Sequence, residues 1–257
     1  MVYALVCSIA LAASLLTFFT GFGLGTLLLP AMAVFFETEV AVALTAVVHL
    51  LNGLFKLALT GKSANRAVAL RFGLPAFAAA LVGAWLLTLL ARPAPLFTYT
   101  LFGAAKQVTL VKLVIAGLMI VFAVLELSKR FQELSVPPKW LPLGGVLTGF
   151  FGGLSGHQGA LRSVFLLRAG LAKEAFIATG VLISVGVDVT RLAVYFPRFG
   201  AVSLERHGPL LAAASAAAFA GAFAGNRLLK KVTLTGIQRA VAVLLCIVAV
   251  GMAAGVL

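Results

Sequence analysis

Acidic residues are almost missing from this chain: seven Asp and Glu stand against 20 Lys and Arg in 257 residues. Charged residues of both signs make up only 11%, where a soluble domain usually carries about a quarter. With 62% of the residues hydrophobic, an ordinary soluble domain is excluded, because one core of this size cannot hide so much apolar surface from water. Cysteine is equally sparse. Cys7 and Cys246 lie in apolar segments near opposite ends of the chain, which suits small core residues and not a disulfide or a metal pair. There is no G-x-x-x-x-G-K-[ST] loop, so no internal ATPase, and no CxxC or HExxH spacing. No convincing Ser–Lys or Ser–His dyad is present either. An intramembrane enzyme therefore finds no support, and no cofactor or metal is expected. The amino terminus lacks a basic n-region and a convincing cleavage site, so it reads as a retained membrane segment.

What the chain does have is long apolar runs. Phe72 to Ala91, Val108 to Leu127, Leu210 to Leu229 and Ile237 to Leu257 contain few or no charges. Each is near the roughly 20 residues that a helix needs to cross a bilayer core. The net charge of +13 is not a nucleic-acid footprint, because the Lys and Arg residues sit between apolar runs without interleaved aromatics. It reads as topology-setting charge. Trp140 and Tyr99, near segment ends, fit interfacial anchoring. The expectation is an all-α polytopic protein of the cell membrane, with a bacterial inner membrane as the natural setting.

An internal repeat organises the chain. The segment Glu39-Val40-Ala41-Val42-Ala43-Leu44-Thr45 parallels Lys173-Glu174-Ala175-Phe176-Ile177-Ala178-Thr179. Upstream stand two Gly-rich stretches, TFFTGFGLGTLLLP at 17–30 and GFFGGLSGHQGALRS at 149–163. One offset of 134 aligns Gly25 with Gly159, Ala41 with Ala175 and Thr45 with Thr179. A polar, Pro-containing junction runs from Ser128 to Lys139. This predicts one transport domain over residues 1–257, with repeat one at about 1–128, a linker at about 129–139 and repeat two at about 140–257.

Both Gly-rich stretches interrupt apolar segments. The pieces that follow, Thr26 to Phe36 and Ala160 to Ala169, are too short to span. Irregular backbone at membrane depth is tolerated only where protein or a watery cavity satisfies it, so the two breaks are expected to face each other. If each is a re-entrant hairpin and each repeat adds three full crossings, the clearest basic loops fall inside and both chain ends outside. An odd number of crossings also inverts the repeats, a known transporter plan. Eight crossings with broken first helices are the alternative.

Ionisable groups at membrane depth cost a few to many kcal/mol and need a reason. In repeat one, Thr45, His49, Asn52 and Lys56 share a helix face at spacings of four, three and four. That face either lines a substrate path, with His49 proton-sensitive, or supplies a helix–helix hydrogen bond through His49 and Asn52 and a snorkelling Lys56. The second break is richer. It places Gly156, His157, Gln158 and Gly159 before Arg162 and Ser163. Glycines let backbone N–H groups approach a ligand, the following half-helix points its positive end at an anion, and Arg162 adds bidentate donors. The bland alternative is tight packing by the glycines and pairing of Arg162 with Asp188. In the first break, Gly23, Gly25 and Thr26 hold the matching place. Asp188 reads as the only acid inside an apparent span, sharing a face with Ser184 and Arg191. It is either a static partner of Arg191 or Arg162, or a coupling site.

The paired breaks GFGLGTLLLP and GLSGHQGALRS, each followed by an (E/K)-x-A-x-x-A-T-like helix, resemble the TauE/SafE family of membrane permeases, over nearly the whole chain. The resemblance implies a secondary carrier, with export as the expected direction, for a small sulfur-containing anion such as sulfite or an organosulfonate, driven by an ion or proton gradient. Two departures bear on the substrate. Gly21, Gly23 and Gly25 alternate with Phe22 and Leu24 where many members have consecutive glycines, and His157 and Gln158 stand where glycine is common. These residues suit an oxyanion or a carboxylate equally. A channel or permease for another small anion and a membrane scaffold are the competing classes. The expected partners are a small inorganic or organic anion and membrane lipid, not nucleic acid, and a homodimer stays open.

Overall fold

The computed structural model describes residues 1–20, 24–101, 103–134, 136–197, 201–228 and 235–257. Almost all of the ordered backbone is helical, because apolar residues in lipid must satisfy their backbone groups within the segment. The order is α1 (Val2–Thr20), α2 (Leu24–Ala33), α3 (Thr38–Thr60), α4 (Arg66–Leu90), a hairpin of β1 (Phe97–Leu101) and β2 (Ala104–Val108), then α5 (Leu110–Leu127) and the short α6 (Lys129–Glu133). The chain continues with α7 (Leu141–Ser155), α8 (Gly159–Leu166), α9 (Lys173–Tyr195), α10 (Ala201–Leu228) and α11 (Thr235–Ala253). Among the described residues, five helical segments are long and apolar enough to cross a membrane: Thr38–Ser63, Arg66–Leu90, Leu110–Leu127, Lys173–Tyr195 and Arg206–Gly225. The chain is a multi-pass membrane protein.

Local signals set the helix starts. Asn65 caps α4 by accepting from Val68 N–H at 3.0 Å. Thr109 and Ser128 do the same for α5 and α6 through Lys112 and Phe131. Such caps each contribute about 1 kcal/mol. The second expected interruption lies between α7 and α8; the first falls on residues 21–23, outside the described residues. α2 has 10 residues and α8 has eight, which is about 15 Å and about 12 Å of helix.

Small residues set how closely the helices pack. On α7, Gly145, Gly149 and Gly153 recur every fourth position and lie against the carbonyls of Phe72, Ala76 and Ala80 on α4. Gly83 on α4 answers against the Phe150 carbonyl. A methyl group at any of these positions would overlap backbone, so α4 and α7 touch along their main chains, as small-xxx-small faces allow. α1 and α10 pack in the same manner, with Gly221 against the Leu11 carbonyl and Ala10, Ala13, Ala214, Ala218 and Ala222 buried. Other packed pairs are α5 with α11, α4 with α9, α3 with α9 and with α10, and α2 with α1, α3 and α11. Lipid-facing residues such as Leu74, Val82, Trp85 and Val124 are exposed on the outer surface.

The hairpin differs from the plain loop expected between α4 and α5. Gly103 turns it at φ +78°. Tyr99, expected as an interfacial anchor, instead donates from its hydroxyl to the Ala254 carbonyl at 2.5 Å, and Lys106 donates to the Val256 carbonyl at 3.2 Å. The hairpin thus ties down the end of α11.

Candidate functional site

The first break ends at α2, and Gly25 in its first turn faces the second break. A methyl on Gly25 would lie 3.4 Å from the Gly156 carbonyl, 3.8 Å from the His49 ring and 3.9 Å from Thr45. The two interruptions therefore meet, with the polar face of α3 beside them. Thr26, next in α2, is buried. Gly21 and Gly23 lie outside the described residues.

The second break is shaped by Gly156. It caps α7 at φ +85°, and its N–H donates to the Gly152 carbonyl at 3.0 Å. A side chain here would suffer twice. The left-handed backbone disfavours it, and its first carbon would sit 2.8 Å from Nη1 of Arg191. α8 then starts at Gly159, whose carbonyl accepts from the Ser163 hydroxyl at 3.0 Å. That bond occupies the Ser163 proton within its own helix.

Asp188 is the hub. It is fully buried on α9, and its partners among the described residues are donors. Arg191, one turn along, donates from Nε to Oδ1 at 3.0 Å and brings Nη2 to 2.8 Å. Gln158 donates from Nε2 to the same oxygen at 3.3 Å. From α3, Nδ1 of His49 reaches Oδ2 at 2.5 Å. Arg162 does not touch Asp188. It donates from Nη1 to Oε1 of Gln158 at 3.3 Å, so Gln158 relays between the two. Its Nε faces Gly180 on α9, where a methyl would stand 3.3 Å away. The charges of Lys56 and Arg162 act on each other across the α3–α8 boundary. Lys56 is buried.

The polar face of α3 divides between two sets of partners. Asn52 is engaged in a helix–helix hydrogen bond, with Ser14 of α1 donating to its Oδ1 at 3.0 Å. His49 instead joins the charged cluster. Thr45 is buried, and its hydroxyl has no hydrogen-bond partner among the described residues.

His157 is buried, with 2% exposure. Its ring stacks on Phe122 of α5 at 5.1 Å between centroids. Nδ1 lies 3.0 Å from the Ser155 hydroxyl, and Nε2 has no hydrogen-bond partner among the described residues. Tyr195 closes this side by donating its hydroxyl to the Gly153 carbonyl.

Sequence reasoning missed three participants. Glu126 is a second acid inside a span: it lies in the last turn of α5 and is buried, so Asp188 is not alone. It stood at the end of an apolar run already recognised, and that position was the available signal. Phe122 and Tyr195 look like ordinary apolar-helix residues, and only packing gives them their places.

The family model described as Sulfite exporter TauE/SafE matches residues 6–252 of the chain. No curated protein and no solved structure shows significant similarity to it.

Proposed function

Because the chain belongs to the sulfite exporter TauE/SafE family of membrane transporters, we propose that it is a secondary transporter that exports a small sulfur-containing anion, such as sulfite or an organosulfonate, across the cell membrane by alternating access. The observation that carries this reading is the buried cluster where the two breaks meet. Arg191 is paired with Asp188 and Arg162 joins it through Gln158, so two guanidinium groups stand around one carboxylate. Uncompensated positive charge at membrane depth is costly, and an arriving oxyanion offsets it. Gly25 and Gly156 keep side chains away from the meeting point. His49, Gln158 and Arg191 supply directed donors beside it.

The packing supports two repeats within one transport domain. Exchanging α1–α5 with α7–α11 turns the α4–α7 pair into α10–α1. It turns α4–α9 into α10–α3, α2–α3 into α8–α9, and α2–α11 into α8–α5. Each product is a packed pair, while α3–α9 and α5–α11 map onto themselves. In this reading each repeat is a re-entrant, Gly-interrupted segment followed by three spanning helices, and the repeats are inverted. Rocking one against the other would open and close the His49–Asp188 and Gly25–Gly156 contacts, which join the halves. Proton coupling through Asp188 belongs to the same reading.

The test is counterflow in liposomes reconstituted with the full chain. Sulfite, thiosulfate, sulfate, sulfoacetate, taurine and simple carboxylates are compared. Saturable exchange of a sulfur anion supports the reading. Preference for a carboxylate would redirect the substrate class, unitary currents would mean a channel, and no flux of any anion would defeat the proposal.

A further inference from the structure

The hydrogen bonds around His157 decide which of its nitrogens carries the proton. Ser155 has one hydroxyl proton, and it donates to the Phe151 carbonyl at 3.1 Å. Towards His157 the Ser155 oxygen can therefore only accept. The 3.0 Å contact to Nδ1 is then an Nδ1–H donating to Oγ. In a neutral imidazole the other nitrogen is a bare acceptor. Nε2 is that nitrogen, buried and without a hydrogen-bond partner among the described residues. A buried acceptor lone pair calls for a proton donor.

The surroundings say the same. Arg191 acts on the imidazole with its positive charge, and its Nη1 lies beside Gly156, the neighbour of His157, without a hydrogen-bond partner among the described residues. The other polar or titratable groups on the elements beside His157 are Ser155 and Gln158 on its own segment, Glu126 one turn beyond Phe122 on α5, and Asp188 and Tyr195 on α9. Gln158 is bonded to Asp188 and Arg162, and Tyr195 to Gly153, with Arg191 also acting on its hydroxyl.

We propose that the protein binds its anion together with one proton, with Nη1 of Arg191 donating to an anion oxygen and Nε2 of His157 receiving the proton. The proton either rides on the anion, whose O–H donates to Nε2, or comes from water and converts His157 to an imidazolium that donates back. In both cases no bond other than that to the proton changes, and anion and proton bind cooperatively. This rests on the anion-transport reading and gives its coupling a sign: proton and anion bind on the same side and move together.

Calorimetric titration of the detergent-purified full chain measures this directly. Each anion is titrated in two buffers of different ionisation enthalpy, at one pH high enough that free sulfite carries no proton, which reports protons taken up per anion bound. Uptake of about one proton is expected. Methanesulfonate, which has no O–H, shows uptake only if the proton settles on His157. Sulfite shows uptake by either route. Uptake with sulfite alone therefore places the proton on the anion, and uptake with methanesulfonate places it on the ring. His157→Gln, which can donate without taking up a proton, should bring uptake close to zero. Ser155→Ala removes the acceptor that holds the proton on Nδ1, so a neutral ring can donate from Nε2. It should lower uptake too, and it serves if His157→Gln does not fold. Anion binding without proton uptake in the unaltered protein overturns this inference and leaves anion transport standing, as does unchanged uptake in the variants. Failure of both anions to bind overturns both.

Discussion

His49 and Asp188 stand 139 positions apart in the chain, and their side chains meet at 2.5 Å across the α3–α9 interface. The first lies in the first half and the second in the second, so this contact joins the halves at the level of the breaks. Asp188 also receives Arg191 and Gln158, which makes it the point on which the buried charges depend.

Replacing Asp188 by Asn removes the carboxylate but keeps the size. If Asp188 couples a proton to transport, flux driven by a pH gradient should be lost while anion exchange persists. Unchanged gradient-driven flux in the variant would rule the role out. Breaking one partner of a buried pair costs about 3–5 kcal/mol, so thermal stability in detergent should also fall. In a double-mutant cycle with His49→Gln, the two losses should fail to add by about 0.5–3 kcal/mol.

Among the described residues, the hydrogen bond of Arg162 into the cluster runs through Gln158. Its removal should therefore weaken anion binding more than it weakens the fold. Arg162→Ala is expected to bind the transported anion at least about tenfold less tightly, equal to about 1.4 kcal/mol, with near-normal expression and melting temperature. Ligand-induced thermal stabilisation measures it. Full retention of anion stabilisation and flux would favour a scaffold.

Gly156 carries two independent penalties for a side chain. Gly156→Ala forces a left-handed backbone, at about 1–2 kcal/mol, and pushes a methyl at Nη1 of Arg191. The expected result is modest loss of stability and a larger loss of anion binding. Equal affinity for the variant and the original protein, in the same thermal-shift assay, would show that Nη1 is not part of the binding surface.

The α4–α7 seam can be tested apart from function. Gly149→Ala places a methyl into the Ala76 backbone, and overpacking of this kind costs about 1–3 kcal/mol. Gly117→Ala on α5 meets nothing within 4 Å and should be neutral or slightly stabilising, since alanine is the better helix former. The contrast is read from thermal unfolding of the two variants under identical detergent conditions. Similar melting temperatures would contradict the close approach.

Much of the architecture was legible because lipid imposes simple rules. Long apolar runs had to be helices, and Gly-rich interruptions had to be breaks facing protein. The short pieces after each break emerged as α2 and α8 with slightly earlier boundaries. The hairpin was not legible, because FTYTL and AAKQV carry weak strand signals next to much stronger helical runs. Around the breaks, residue types pointed to His157, Gln158, Arg162 and Asp188, but their partners did not follow from type. Among the described residues, Arg162 reaches Asp188 through Gln158. Asn52 is held by Ser14 of a helix 38 positions away.

The sequence by itself determined that this chain lives in a membrane, that its helices are interrupted twice, and that polar groups gather near those interruptions. Each of these follows from local composition and from the cost of leaving backbone or charge in hydrocarbon. Only the tertiary structure decided that the interruptions touch at Gly25 and Gly156, that His49 pairs with Asp188, and that His157 stacks on Phe122 of α5. Those outcomes depend on which helix faces which at a distance of one hydrogen bond, and sequence spacing within a single helix carries no information about its neighbour.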